Sequence, residues 1–133
     1  MIQKINSLHH RFVCVGLDIV VERLPTNISN DIGGVESFVQ TIIDATAEYA
    51  AAYKPNLAFF LALGAEGYTL LSRLRQMIPP DILLIGDAKW GDIGNTASMY
   101  AEVAFNKLHF DAVTVNPYQG SDAIEPFLTD PKH

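Results

Sequence analysis

Ile82-Leu83-Leu84-Ile85-Gly86-Asp87-Ala88-Lys89-Trp90-Gly91-Asp92 is the stretch on which the reading of this chain turns. Four consecutive apolar residues predict a buried parallel strand, and the run closes on a carboxylate, an ammonium and a second carboxylate. Residues two apart along a strand share a face, so Asp87 and Lys89 continue the face of Leu83 and Ile85. Gly91 offers a turn through which Asp92 is expected to come back toward the same ammonium. The anticipated result is a minus, plus, minus row at the C-terminal end of a strand. Charges on a core-facing strand end are costly unless paired, and such rows are usually kept for chemistry.

Outward from this stretch the same pattern recurs three times. Phe12-Val13-Cys14-Val15-Gly16-Leu17 ends at Asp18, Tyr49-Ala50-Ala51-Ala52-Tyr53 ends at Lys54-Pro55-Asn56, and Asp111-Ala112-Val113-Thr114-Val115 ends at Asn116-Pro117-Tyr118. The alanines of the second run would suit a helix, but Pro55 supplies a stop there, as Pro117 does after the fourth run. Between the runs the apolar period changes from 2 to 3.6. Val35, Phe38, Val39, Ile42, Ile43 and Thr46 follow helical spacing after a break at Gly33-Gly34. Leu70, Leu71, Leu74, Met77 and Ile78 do so up to Pro79-Pro80, and Ala97, Tyr100, Ala101, Ala104, Phe105 and Leu108 make a third stripe. All three stripes read as core packing. Ser121 is the expected cap of a short fourth helix limited by Pro126, and residues 1–10 are expected to form a leading helical turn.

Strands alternating with helices predict an α/β fold with a parallel sheet and right-handed crossovers. A polar group at the C-terminal end of each successive strand favours the (β/α)8 TIM barrel over a doubly wound sheet, which gathers its site at one switch point. No Gly-x-Gly-x-x-Gly follows the first strand. Eight strands usually occupy about 250 residues, and this chain of 133 residues holds four. Residues 1–133 therefore read as the N-terminal half of a single (β/α)-barrel domain, strands one to four, a half-barrel.

Composition narrows the function classes. Apolar residues make up 49% of the chain, enough for a core, while a formal net charge of −6 argues against a nucleic-acid groove or an anionic membrane surface. No apolar segment approaches the roughly 18 to 20 residues that span a bilayer, and residues 1–11 lack the apolar stretch of a secretion signal. A cytoplasmic protein is expected. The single cysteine, Cys14, rules out a disulfide framework and, inside an apolar run, is expected to be a buried small hydrophobe. His9 and His10 are adjacent while His109 and His133 are isolated, so no histidine pair has metal-ligand spacing. Asp87 and Asp92 are of the type that holds magnesium, but Lys89 between them opposes a divalent cation. No serine or cysteine has a base at motif spacing. The expectation is chemistry without metal or cofactor.

Together these residues resemble the orotidine 5′-phosphate decarboxylase family in its longer bacterial branch. Val15-Gly16-Leu17-Asp18 looks like the family's first strand end, and Tyr53-Lys54-Pro55-Asn56 with Ala58-Phe59-Phe60 its second. Asp87-Ala88-Lys89 through Asp92-Ile93-Gly94-Asn95-Thr96-Ala97 matches its Asp-x-Lys-x-x-Asp motif, which sugar-phosphate relatives share; Gly-Asp-Ile-Gly-Asn-Thr narrows the match to the orotidine enzymes. Val113-Thr114-Val115-Asn116-Pro117-Tyr118, with Gly120 and Glu125-Pro126-Phe127, resembles the fourth-strand region. Trp90 stands where that branch often has arginine and Leu61 where it often has glutamate.

The resemblance implies a carboxy-lyase of pyrimidine biosynthesis that converts orotidine monophosphate to uridine monophosphate and carbon dioxide. It implies Lys89 as the proton donor to C6 of the pyrimidine, with Asp87, Asp92 and Lys54 completing the catalytic set. Asp18, Lys54, Ile93, Thr96 and Asn116 become candidate substrate-binding residues, with Asp92, Ile93 and Thr96 reaching across a homodimer into the partner's site. A lysine held between carboxylates is charged, positioned and able to donate a proton, which suits it to meet a carbanion that no adjacent carbonyl delocalises. Asp87 beside the substrate carboxylate would add a repulsion of roughly 4 kcal/mol at about 4 Å and an effective dielectric near 20, relieved as carbon dioxide leaves. Without the resemblance, Asn95 or Thr96 reads as a helix N-cap.

Two other readings compete. One is a magnesium-dependent sugar-phosphate decarboxylase relative; the other is a non-catalytic half-barrel acting as a dimerising or binding module. An open four-strand sheet exposes unpaired edges at its first and last strands, and the isolated half is expected to be inactive.

Overall fold

The computed structural model describes residues 11–129. The leading turn expected over residues 1–10 lies outside them, as do His9, His10 and His133. Four parallel strands form one sheet, β1 (Val13–Leu17), β2 (Ala50–Pro55), β3 (Leu83–Trp90) and β4 (Ala112–Val115). Their order across the sheet is their order along the chain. A doubly wound sheet reverses direction at a switch point, whereas a barrel adds each strand beside the last, so the sequential order places this chain in the half-barrel class.

The helices are α1 (Ile32–Thr46), α2 (Leu57–Ala62), α3 (Gly64–Met77), α4 (Gly94–Glu102) and the short α5 (Glu125–Leu128). Period 2 divides the strands into two faces, with one irregularity where β1 and β2 shift register between Val13 and Cys14. Leu17, Tyr53 and Leu84 are buried in one core with Val35, Val39 and Ile43 of α1 and Leu70, Leu71 and Leu74 of α3. Tyr53 donates its hydroxyl to the Ile43 carbonyl of α1, which fixes that face as the helix-covered one. Each fully buried leucine of such a stripe is worth about 1.5–3 kcal/mol relative to exposure. Cys14, paired in register with Ala52, and Gly16, paired with Lys54, belong to the opposite face.

That division corrects the expectation for Cys14. It is exposed, because β1 is an edge strand and Cys14 lies on the face away from the helices. Phe12, just before β1, is 86% exposed for the same reason of position.

Gly33-Gly34 does not break the helix either; both glycines lie in the first turn of α1. Asp31 caps that turn by accepting from the Gly34 amide at 2.8 Å, and the Ser29 hydroxyl donates to the same carboxylate oxygen. Gly34 is there for close approach: a Cβ on it would lie 1.8 Å from the Ser29 carbonyl oxygen. The helix predicted from Ala97 onward is α4, which widens into a π turn at Val103–Lys107. Asn95 and Thr96 fall inside its first turn rather than at its cap, which is Ile93 and has no side-chain cap bond. Ser121 likewise opens a 3-10 turn, Ser121–Ala123, instead of capping a helix, and Pro126 sits in the first turn of α5.

On the rim opposite the strands' C-terminal ends, Arg75 of α3 donates to the carbonyls of Ile78, Pro79 and Ile82 and to the Asp111 carboxylate. Asp111 also accepts from the Leu84 amide. This clamp ties the end of α3 to the starts of β3 and β4.

Candidate active site

Every strand delivers its polar residue to the C-terminal edge of the sheet, but the charges assemble differently from the predicted row. The centre is Asp87, 8% exposed and the one buried charged residue among those described. Its Oδ2 accepts from Lys54 Nζ at 2.8 Å, and its Oδ1 accepts from Lys89 Nζ at 2.6 Å and from the Thr114 hydroxyl at 3.0 Å. The order is plus, minus, plus: one carboxylate between two ammonium groups, from the ends of β2 and β3.

Asp92 is not the second flank of Lys89 within this chain. Its Oδ1 accepts from the Ile93 amide at 2.8 Å, and it makes no ion pair among the described residues. The reason lies in where the chain turns. The left-handed residue is Lys89 itself, with φ of 52°, rather than Gly91. A lysine in that region costs about 1–3 kcal/mol, a strain that persists only where the surroundings hold it.

The hold is visible in the strand register. Gly86 pairs with Val113 and Trp90 with Val115, so Asp87, Ala88 and Lys89 stand against Thr114 alone. Their ladder to β4 is interrupted, and the amides of Ala88 and Lys89 donate instead to the Thr114 hydroxyl, at 3.0 and 2.9 Å. Bulges of this kind re-aim side chains beside active sites.

Electrostatics follow from the contacts. Lys54 and then Lys89 hold the Asp87 carboxyl well below the usual carboxylate range, outweighing the opposing effect of burial. The Asp87 hydrogen bond raises Lys54 above the ordinary lysine value, with Asp18 adding a smaller push. The Lys89 side chain remains 66% exposed while its ammonium is anchored, so it is accessible to a bound molecule.

The remaining predicted residues surround this centre without joining it. Asp18 accepts from the Asn56 side-chain amide at 3.3 Å, and Asn56 forms a backbone bridge to Asp87. Asn116 spends its side-chain oxygen on the Tyr118 amide, capping a 3-10 turn, while its own amide donates to the Trp90 carbonyl. Ile93 and Thr96 are exposed at the start of α4. Trp90 stacks on Tyr100 with ring centroids 4.7 Å apart, and Leu61 is exposed. A groove of about 660 Å³ between α4 and α5, lined in part by Asn95, Met99, Glu102 and Glu125, contains none of Lys54, Asp87 and Lys89. Among the described residues no group of three or more histidine, cysteine, aspartate or glutamate side chains has metal-binding geometry.

The sequence profile of the orotidine 5′-phosphate decarboxylase / HUMPS family matches residues 11–133. This chain belongs to that family. It is 52% identical over 121 residues to the orotidine 5′-phosphate decarboxylase of Thermomicrobium roseum, an alignment covering 91% of this chain and 43% of that protein. With the Christiangramia forsetii decarboxylase it shares 48% identity over 120 residues, or 88% of this chain and 44% of the relative. The chain thus spans less than half the length of these relatives. Among solved structures, the Leishmania donovani OMP decarboxylase superposes with a TM-score of 0.87 at 39% identity over 98% of this chain and 50% of that one. The Leishmania donovani UMP synthase gives a TM-score of 0.89 at 38% identity, covering 99% of this chain and 28% of that chain.

Two residues at the charged centre, Thr114 and Asn56, lie in stretches the sequence singles out but carry no predicted site role. Thr114 carries three of its hydrogen bonds and Asn56 the backbone bridge. Thr114 left a signal, as the one hydroxyl in the interior of an otherwise apolar strand, two residues before Asn116 on the same strand face. The turn of α2 over Leu57–Ala62, capped by Asn56, was hidden in an apolar stretch that carries no helical period.

Proposed function

We propose that this chain supplies the charged half of an orotidine monophosphate decarboxylase site and forms the N-terminal half of a single (β/α)8 domain. The observation that carries the proposal is the Asp87 carboxylate clamped between Lys54 and Lys89, at 2.8 and 2.6 Å, on the C-terminal edge of a sequentially ordered parallel sheet. Asp87 stays ionised throughout the neutral range, so a substrate carboxylate beside it meets a fixed negative charge. The Lys89 ammonium faces the negative charge that develops on C6: as the bond from C6 to the carboxylate breaks, the electron pair stays on C6 and carbon dioxide leaves. A proton from the Lys89 ammonium then forms the new C6–H bond. The resulting neutral amine recovers its proton from water. Lys54 holds Asp87 in place and, with Asp18, is suited to ribose hydroxyls; Asn116 is assigned to the substrate-binding set by family position.

The same reading makes the enzyme a cytoplasmic homodimer in which Asp92, Ile93 and Thr96 serve the partner's site. Their exposure at the start of α4 and the absence of an Asp92–Lys89 ion pair within the chain support that assignment. No helix among the described residues is long and apolar enough to cross a membrane. A magnesium-dependent sugar-phosphate reaction is disfavoured by charge, because both Asp87 oxygens are already taken by ammonium groups that a divalent cation would have to displace.

The test is Lys89→Ala in the full-length protein. The expected outcome is loss of orotidine monophosphate turnover by a factor of about 10³ or more, in the range of removing a transition-state charge partner together with an acid. Thermal unfolding should show a loss no larger than that of removing Lys54, since Asp87 keeps Lys54 and Thr114 as partners and most of the Lys89 side chain is exposed. Turnover within a few-fold of the parent would remove Lys89 from the role of acid.

A further inference from the structure

We infer that Thr114 is a positioning residue of this site: its hydroxyl clamps the β3 bulge and so sets how Lys89 presents its ammonium beside Asp87. The inference rests on the reading of Lys89 as proton donor and goes beyond it, because Thr114 belongs to a different strand and is not itself assigned to the substrate.

A threonine hydroxyl has one hydrogen to give and two lone pairs to offer. In this structure all three are used on consecutive residues. The hydrogen goes to Asp87 Oδ1 at 3.0 Å, and the oxygen accepts from the Ala88 amide at 3.0 Å and the Lys89 amide at 2.9 Å. These are the three residues for which β4 offers only Thr114 as a neighbour in register. Without the hydroxyl, the amides of Ala88 and Lys89 lose the bonds that tie this bulge to β4, at the residue held at φ of 52°. Asp87 would keep its two ammonium partners, so the pairing of charges survives while its direction is freed. A proton donor must sit within hydrogen-bond reach of the carbon it serves, so a small loss of aim lowers the rate more than it lowers binding.

Valine matches threonine in shape and lacks all three bonds; serine keeps them and lacks a methyl group. The experiment compares Thr114→Val and Thr114→Ser with the parent in the full-length protein, by amide hydrogen exchange and by kinetics. Exchange at the Ala88 and Lys89 amides should speed up about tenfold or more in the valine variant and stay near the parent rate in the serine variant. The valine variant should lose about tenfold to a hundredfold in kcat, with the Kd for uridine monophosphate within about threefold and serine restoring most of the rate. Unchanged exchange at both amides overturns the inference, as does an unchanged kcat in an otherwise active enzyme. A valine variant that loses nucleotide binding and rate together, with serine failing to rescue, also overturns it, since that marks a general packing role. If the parent itself does not turn over orotidine monophosphate, the proposed function falls, and the exchange rates alone decide whether Thr114 positions Lys89.

Discussion

Lys54 Nζ donates to Asp87 Oδ2 over 2.8 Å, joining the ends of β2 and β3 with a charged hydrogen bond. Asp87 is largely buried, and a buried carboxylate stays charged only where its partners outweigh the loss of water. Two ammonium groups and a hydroxyl do so here. Removing Lys54 therefore leaves a buried charge with one ion-pair partner, Lys89, whose own side chain is mostly exposed.

The acid limb of stability should report this. Asp87 has its carboxyl lowered from the ordinary 3.8 by Lys54 first and Lys89 second. A lowered folded-state value contributes stability that is fully present above the unfolded-state value and is lost as pH falls through the folded one. Lys54→Met should thus lower unfolding free energy by about 1.5–3 kcal/mol near neutral pH, the scale of a hydrogen bond to a charged group. The gap between parent and variant should narrow as pH drops below about 4, where the parent's Asp87 is still paired and the variant's takes up a proton. Urea unfolding at a series of pH values measures it. A gap that stays constant down to the lowest pH would mean that Asp87 is not the linked group.

Two glycines separate crowding from backbone strain. A Cβ on Gly34 meets the Ser29 carbonyl oxygen at 1.8 Å, whereas one on Gly94, at φ of 56°, meets nothing within 4 Å. Gly34→Ala must push backbone apart and should destabilise by about 2–3 kcal/mol, near the top of the usual range for overpacking. Gly94→Ala pays only for the left-handed conformation, about 1 kcal/mol. Thermal unfolding of the two variants gives the order directly, and a smaller loss at Gly34 would contradict the close packing of the Ser29 loop on α1.

The sheet was legible because two periods alternate along the chain and each apolar run ends on a polar residue. Sequential strand order followed from that repetition. What sequence could not carry was the conformation of one residue. Period 2 put Lys89 on the face of Asp87, which is where its ammonium goes, but the left-handed turn occurs at Lys89 while the glycine two residues on, Gly91, has no positive φ. A glycine marks permission for such a turn, and here the Thr114 bonds across the sheet supply the compulsion. Burial of Cys14 failed for a related reason: an apolar run announces a strand, but which face of an edge strand is covered depends on where the helices lie. The Arg75 clamp was equally invisible, since its partners are mostly backbone carbonyls that leave no mark in side-chain pattern.

Within the chain the Asp92 carboxylate turns to the Ile93 amide and leaves Lys89 with Asp87 as its ion-pair partner, while Ile93 and Thr96 beside it are exposed. If the carboxylate serves the partner's site, a Lys89→Ala subunit and an Asp92→Asn subunit are each nearly inactive as homodimers but complementary as a pair. A mixed dimer then has one site with both native residues and one with neither. Statistical mixing places half of all dimers in that state, so activity should return to about a quarter of the parent level in a two-fold symmetric assembly. Subunit exchange is followed by mass spectrometry of differently tagged chains, and turnover is read on the same samples. Full exchange with no recovered rate would place Asp92 in its own subunit's site and require the β3 to α4 turn to close back on Lys89 when substrate binds.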